Sequence, residues 1–315
     1  MPRLYTSNEL IASVRDRAGL PDNEVAGGDD ATVLRHLNEE MLTRLIPGLI
    51  KVREEYFVVS QRTTLSSSVT RYRIPPRAIG QKLRHLMHVG TDGNRYACRR
   101  IYREDLDGLN DPSPANGYDF YIEGSWIVLV TDSPEGYLEI SYYMRPGQLV
   151  LVTDTRKITA IDTDTKTITI ASTAAGLWTN GDLLDVHSPS SGADLKDWDL
   201  TAETVSGTSI TFSEEIDGSV FGSTALAIGD YVCAAGEAAL PALPRELHPI
   251  LAQAAVVRVH ESLGDMEGAQ MSKQTLAELL SSAAYMVDPR VEGTPRPIKR
   301  RGSAFWGGRR LGGWY

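Results

Sequence analysis

The chain has 315 residues, of which 42% are hydrophobic and 23% charged, and its formal net charge is −9. This length and composition are typical of a globular protein with about two domains. No apolar run approaches the roughly 20 residues of a membrane span, and the chain begins without the apolar stretch of a secretory signal, so we expect a protein made and used without crossing a membrane.

Helical patterns open the chain. Thr6 and Glu9 have the spacing of a capping box, and apolar residues then follow on one helical face until Gly19. A second helix is predicted after Asp29, with apolar residues at three-and-four spacing until Pro47 bends or ends it. We assign residues 1–55 to the first half of a helical bundle.

Strand patterns replace the helical ones from Tyr56. The runs 56–59, 70–74, 118–122, 126–130 and 138–143 are separated by turn clusters, and 118–130 has the pattern of a hairpin. Residues 56–147 are therefore predicted to form an antiparallel β unit. Two segments stay open, because 81–89 is compatible with a short helix and 99–106 with either a strand or a helix.

A weak internal repeat occupies residues 148–238. The segments 158–162, 167–170 and 181–186 recur as 204–207, 209–212 and 229–234, and each copy reads as strand, tight turn, strand, loop and a Gly-Asp strand. Two such units facing each other predict an inserted six-stranded β-barrel or sandwich. This region is acidic, with 13 Asp and Glu against 4 Lys and Arg between positions 150 and 235.

Helical periodicity returns over residues 239–289. One amphipathic helix is predicted over 244–263, and after Gly264-Asp265 a partner helix carries Leu276, Leu279, Leu280, Ala283 and Val287. Each helix must bury its apolar stripe, so we expect the N-terminal and C-terminal helices to meet in one small bundle. The predicted fold class is α+β: a small helical bundle with an inserted antiparallel β unit, a second inserted β-barrel or sandwich, and an extended C-terminal arm.

The C-terminal arm, residues 290–315, reverses the charge of the chain. Its seven basic residues and one acidic residue give +6, which leaves −15 for the other 289 residues. Pro and Gly interrupt any periodicity, while Arg and aromatic side chains are those that dominate binding interfaces. We predict a docking arm whose contact residues are Arg290, Arg296, Lys299, Arg300, Arg301, Phe305, Trp306, Arg309, Arg310, Trp314 and Tyr315. A merely solubilising tail is the plainer alternative.

Local signatures of catalysis and metal binding are missing. The sequence has no G-x-S-x-G, P-loop, G-x-G-x-x-G or H-E-x-x-H pattern, so we expect neither an enzyme nor a cofactor or metal. His85 and His88 are interpreted as structural, 162–165 as a hairpin turn and His260-Glu261 as a helix-surface pair. The acidic segment 194–199 is expected to be a solvated loop with Trp198 in the barrel, and Cys98 and Cys233 to be small apolar side chains of a reducing compartment.

The order of these segments resembles the head-to-tail adaptor (connector) proteins of tailed bacteriophages, which lie beneath the portal and join the capsid to the tail. The likeness covers almost the whole chain. It rests on the helices at 10–18 and 33–50 leading into Tyr56-Phe57-Val58-Val59, the strands of 118–144 with Arg145-Pro146, the stretch Ala242–Leu251 and its paired helices, and Asp288–Gly293.

The resemblance implies a non-catalytic virion protein at the head-tail junction, made in the host cytoplasm. Its helical core would form a ring, typically a dodecamer, against the portal protein, and its β insertions would face outward or towards tail proteins such as the tube, the nozzle or a fibre attachment. The arm would dock on or between portal subunits. DNA would pass through the channel without sequence-specific binding, which suits an acidic body.

Two alternatives come from other functional classes. The chain could be a nucleic-acid-binding assembly factor that grips RNA or DNA with the basic aromatic arm. It could also be a glycan-active enzyme that draws a carboxylate pair from Asp197, Asp199, Glu214 and Glu215, although their spacing selects no pair.

Overall fold

The computed structural model describes residues 5–20, 29–108, 117–189 and 194–287, which form a mixed α+β fold. The helices are α1 (Ser7–Ala18), α2 (Asp30–Glu40), α3 (Ile46–Val52), α4 (His248–Leu263) and α5 (Met266–Val287). Short 3₁₀ helices cover Glu54–Phe57, Arg103–Gly108, Val152–Asp154 and Arg245–Leu247.

Sixteen strands lie within the described residues. The first nine are β1 (Val58–Thr64), β2 (Arg71–Arg73), β3 (Ala78–Val89), β4 (Arg95–Ala97), β5 (Arg99–Arg100), β6 (Asp119–Glu123), β7 (Trp126–Val130), β8 (Tyr137–Met144) and β9 (Gln148–Leu149). The others are β10 (Arg156–Asp162), β11 (Thr167–Ile170), β12 (Leu183–Ser188), β13 (Asp194–Ser206), β14 (Ser209–Phe212), β15 (Tyr231–Ala234) and β16 (Glu237–Ala238).

The first helix begins and ends as its sequence predicts. The Thr6 hydroxyl accepts from the backbone N–H of Glu9, and the Glu9 carboxylate accepts from the N–H of Thr6, which completes the capping box. Gly19 ends the helix in the left-handed conformation, φ 64°, which costs glycine little because it has no Cβ.

The second helical stretch passes Pro47 instead of ending there. A π-helical turn over Met41–Leu45 joins α2 to α3, and the N–H of Ile46 donates to the carbonyl of Met41, five residues back. Pro47 has no N–H to give to Thr43, and its ring would crowd that carbonyl in a regular α-helix. The π turn resolves this conflict locally, so the helix continues to Val52.

Helices from both ends of the chain share one hydrophobic core. Helix α4 lies at its centre and contacts α1, α2 and α5. Small side chains such as Ala254 and Ala255 are completely buried there and allow close approach of the neighbouring helices. The two ends are also tied by polar contacts, since the N–H of Ser7 donates to the carbonyl of Ala239, and Arg17 donates to that of Pro249.

The β unit consists of two four-stranded sheets that share a second core. Their strand orders are β1-β8-β3-β4 and β2-β7-β6-β5. The predicted hairpin of β6 and β7 is present, with Gly124 in its turn at φ 58°. Every strand pair in the unit is antiparallel except β5 with β6, which is parallel.

One local prediction in this unit is wrong, and both open segments are resolved. Residues 81–89, compatible with a short helix by sequence, form the last nine residues of β3, which pairs with β8 along most of its length, so strand pairing outweighs helical propensity. Tyr56 and Phe57 belong to a 3₁₀ turn, and the strand begins only at Val58. Segment 99–106 is both, because the strand Arg99–Arg100 precedes the 3₁₀ helix that starts at Arg103.

Six strands of the repeat region close into a barrel in the order β10-β11-β14-β13-β12-β15. Exchanging the strands of the first copy (β10, β11, β12) for those of the second (β13, β14, β15) leaves this ring order unchanged. The equivalent residues Ile168 and Ile210 face each other across β11 and β14, where a two-fold relation between the copies requires them to meet. The topology of the barrel thus follows the repeat in the sequence.

A two-stranded neck carries the chain into and out of the barrel. Strands β9 and β16 pair in parallel, Gln148 with Glu237 and Leu149 with Ala238. The buried amide of Asn38, on α2, donates to the carbonyl of Leu149 at 3.0 Å and accepts from its N–H at 2.8 Å. The neck is therefore fastened to the helical core by this side chain and by Leu149, which is buried in that core.

Candidate assembly surfaces

The predicted arm residues lie outside the described part of the chain. Helix α5 is the last described element and ends at Val287, three residues before the arm begins. The end of α5 after which the arm follows in sequence lies beside α3 and the start of α4.

An apolar groove of about 190 Å³ lies at this end of the helical core. Its lining residues are Arg44, Leu45, Gly48, Leu49, Val52, Leu247, Leu280 and Ala283. Gly48 leaves the space open, because a Cβ added there would meet nothing within 4 Å. Val52 remains 40% exposed at the edge. No sequence pattern indicates this groove, since its walls come from helices more than 190 residues apart.

The junction between β unit and barrel is built around Arg77. This arginine precedes β3, and its Nη1 contacts both carboxylate oxygens of Asp185, on β12, at 2.8 Å. It also reaches Asp199 at 3.3 Å. Asp185 is completely buried and accepts from the backbone N–H of Gly236 as well. Burial raises the pKa of Asp185, and the positive charge of Arg77 acts in the opposite direction.

A second contact between barrel and β unit is aromatic. The guanidinium carbon of Arg62 lies 4.0 Å from the ring centroid of Phe221, in the loop between β14 and β15. The same Arg62 pairs with the buried Glu139 at 3.3 Å. Gly222, at φ 94°, approaches β1 so closely that a Cβ there would collide with the carbonyl oxygen of Ser60. The loop of Phe221 and Gly222 therefore fits directly against the edge of β1.

Trp198 corrects the prediction for the acidic segment 194–199. The segment is not a solvated loop, because it forms the start of β13. The half-buried Trp198 packs with the core of the β unit, together with Leu195, and not with the barrel core. The tryptophan that the barrel buries is Trp178. At a β-bulge, where Asp199 has φ 55°, strand β13 bends towards the β unit.

The four carboxylates of the enzyme alternative separate into different environments. Asp199 pairs with Arg77, and Glu215 pairs with Lys166 at 2.8 Å. Only Asp197 and Glu214 line one cleft, of about 160 Å³, beside Trp198 and Phe221.

Within that cleft Asp197 and Glu214 are held differently. Glu214 accepts from both the N–H and the hydroxyl of Thr201. Asp197 is 6% exposed, and its Oδ2 is buried without a partner among the described residues. Burial raises the pKa of Asp197 to about 6, while the N–H of Trp198 acts in the opposite direction.

The remaining polar candidates have structural contacts. His85 contacts the hydroxyl of Ser141, and His88 contacts the carbonyl of Glu135. Asp162 accepts from two N–H groups of its hairpin turn, as predicted. Burial raises the pKa of Cys98 to about 11, and it also raises the pKa of Cys233, so neither is a reactive thiolate.

Two comparisons with known proteins find no match. No protein-family model matches the sequence, and no curated protein is similar to it. Across the described residues, no helix has the length and apolar character that a membrane crossing needs. Nor do three or more His, Cys, Asp or Glu side chains within those residues converge as a set of metal ligands.

Proposed function

We propose that this chain is a structural virion protein, a head-to-tail adaptor that forms a ring beneath the portal of a tailed bacteriophage and connects the capsid to the tail. The observation that carries the proposal is a helical core shared by both ends of the chain, from which α5 leads into a basic, aromatic arm. The proposal assigns no catalysis, cofactor or membrane contact to the chain.

The division of the fold supports this function. In our proposal α1, α2 with α3, α4 and α5 form the bundle that packs against other copies in the ring. The β unit and the barrel are inserted between the two helical halves and are fixed to each other by the buried ion pair of Arg77 with Asp185. They would project from the ring as rigid bodies and meet tail proteins.

The charge distribution supports different functions for the arm and for the other 289 residues, the body of the chain. The body of net −15 disfavours DNA, so we assign the Arg and aromatic residues of the +6 arm to a contact with a protein partner. Its 26 residues span about 85 Å when extended, at roughly 3.3 Å per residue, which is enough to cross a neighbouring portal subunit. An acidic body would let DNA slide through the channel without sequence-specific binding.

The test is the mass of the full chain with and without purified portal protein, measured by native mass spectrometry. We expect a defined ring bound to the portal, and severe weakening of that complex when residues 290–315 are removed. A matched variant replaces Phe305, Trp306, Trp314 and Tyr315 by Ala, which retains the arm's charge and should also weaken binding.

Two outcomes would contradict the proposal. Unaltered portal binding by the truncated chain would remove the arm from the interface. A chain that ignores the portal but binds nucleic acid, with an affinity that falls steeply as salt is added, would favour the assembly-factor alternative.

A further inference from the structure

Both ends of the helical hairpin formed by α4 and α5 present apolar surface. At one end lies the groove described above, with Gly48 as its open space and Val52 at its edge. At the other end, the turn between α4 and α5 exposes Leu263, Met266 and Met271, the two methionines at 70% and 68%. Methionine side chains are flexible and adapt to irregular apolar pockets.

The turn itself is well defined, so it presents these side chains on a fixed support. Gly264 ends α4 in the left-handed conformation at φ 76°. Asp265 accepts from the N–H of Gly268 at 2.9 Å and contacts His260 at 2.9 Å. We call the segment 263–271 the tip.

The charges beside the groove and beside the tip are opposite. Arg44 lines the groove but pairs with the buried Glu40 at 3.3 Å, so the positive charge beside the groove comes from the exposed Lys51 and Arg53, which flank Val52 in sequence. Asp265 and Glu267 stand next to Met266 on the tip. Lys51 and Glu267 are both exposed, and neither has an ion-pair partner among the described residues. An apolar contact between groove and tip would therefore gain opposite charges at its rim.

We infer that the groove receives the tip of a second copy of this chain, and that this contact joins neighbours in the ring. The inference rests on the proposed function. Groove and tip lie at opposite ends of α4, whose 16 residues span about 24 Å at 1.5 Å each, so the contact is head to tail. Repeated head-to-tail contacts close into a ring when the rotation between copies permits it.

The arm is the competing occupant, because it follows in sequence after α5, which ends at the same end of the core. Its net charge of +6 would, however, meet the basic rim of the groove, where like charges repel. The acidic residues of the tip would instead attract the basic residues beside the groove. Charge therefore favours the tip over the arm.

The first experiment fills the groove in the full chain. Gly48→Leu adds a side chain into open space and improves helix propensity, so the variant should fold at least as well as the parent chain. We expect its copy–copy association, measured by analytical ultracentrifugation with and without portal, to weaken at least tenfold. The control Ile228→Lys changes an apolar residue of the barrel that is 69% exposed, about as much as Met266 on the tip. It should leave association unchanged.

The second experiment uses the rim charges. Lys51→Glu or Glu267→Lys alone should weaken association, and the double variant should restore it. In mixtures of full chains that carry Lys51→Cys or Glu267→Cys, we expect a disulfide between the two different chains. Cys98 and Cys233, whose thiol pKa values are raised by burial, should not compete.

These readouts separate the inference from the proposed function. If Gly48→Leu and the charge variants assemble like the parent chain while arm truncation still abolishes portal binding, the inference fails and the adaptor function stands. A disulfide from Lys51→Cys to Ser303→Cys, in place of Glu267→Cys, would put the arm in the groove and overturn the inference. A tip–groove disulfide in a chain that ignores the portal would retain the contact and overturn the adaptor function.

Discussion

Arg77 and Asp197 show two ways in which buried charge is used where the barrel meets the β unit. The charge of Asp185 is matched by Arg77 and by two backbone N–H groups, those of Asp199 and Gly236. Buried ion pairs of this kind add little net stability, but losing one partner is costly, so they favour a single relative placement of the two modules. Asp197 has no such compensation at its Oδ2.

The unpaired carboxyl oxygen of Asp197 should make the stability of the folded chain depend on pH. The pKa of Asp197 rises from 3.8 to about 6 on folding, so its ionisation disfavours the folded state as pH rises from about 4 through 6. Asp185 and Glu214, both acidic, strengthen this effect, and Arg62 lines the same cleft. Asp197→Asn should therefore stabilise the chain at pH 8 by about 2 kcal/mol, allowing for solvent screening, and change little at pH 4.

Thermal unfolding at the two pH values measures this difference between variant and parent chain. Asp164→Asn, at an exposed turn position, is the control and should give the same small change at both. A stabilisation by Asp197→Asn that is equal at pH 4 and pH 8 would show that removal of the charge is not its cause.

At the scale of elements, Gly222 brings the backbone of the loop between β14 and β15 close to that of β1. A side chain at Gly222 meets two penalties, the left-handed backbone at φ 94° and the collision with the carbonyl of Ser60. Gly176 is a matched control, because its φ is 81° but nothing lies within 4 Å of its Cβ position.

We expect Gly176→Ala to lower the free energy of unfolding by about 1 kcal/mol, which is the cost of the left-handed backbone alone. Gly222→Ala should cost at least about 2 kcal/mol more, or release the loop from β1, because backbone on both sides must move. Urea denaturation of both variants checks this, and hydrogen exchange of Ser60 and its strand neighbours reports release of the loop. Equal losses would show that the approach to Ser60 contributes nothing.

Elements set by local chemistry were predictable from the sequence. The capping box of Thr6 and Glu9, the hairpin around Gly124 and the repeat of the barrel each depend on residues close in sequence. Residues 81–89 were ambiguous because their strand exists through pairing with β8, about 50 residues away. Trp198 was misplaced because β13 crosses from one core to another.

At the scale of the whole molecule, the groove could not be predicted, because its walls come from 44–52 and 247–283. The arm was recognisable only by composition. What organises the described part of the chain is three large cores, one shared by helices from its two ends, one in the barrel and one in the β unit, with a small fourth cluster around Cys233 and Leu240. The helical core joins distant parts of the chain, whereas the barrel core comes from one continuous segment. The two should therefore differ in whether they fold alone.

The barrel should fold alone, whereas neither half of the helical core should. Residues 148–238 contain all six strands of a closed ring and a core whose buried members all lie within the barrel. Helices α1 and α2 bury their apolar stripes against α4, which is about 200 residues away. We expect fragment 148–238 to unfold cooperatively on heating, followed by circular dichroism, and fragment 1–55 to show no cooperative transition.

Loss of the contacts that the barrel makes with the β unit should lower its stability below that in the full chain. The fragment exposes Trp198 and leaves Asp185 without Arg77, which removes one partner of a buried pair. Asp185→Asn should therefore stabilise the fragment while destabilising the full chain, where Arg77 would lose its partner. The same sign of effect in both would show that this ion pair does not couple the barrel to the β unit. A fragment 148–238 that stays unfolded would show that the barrel needs the β unit to form at all.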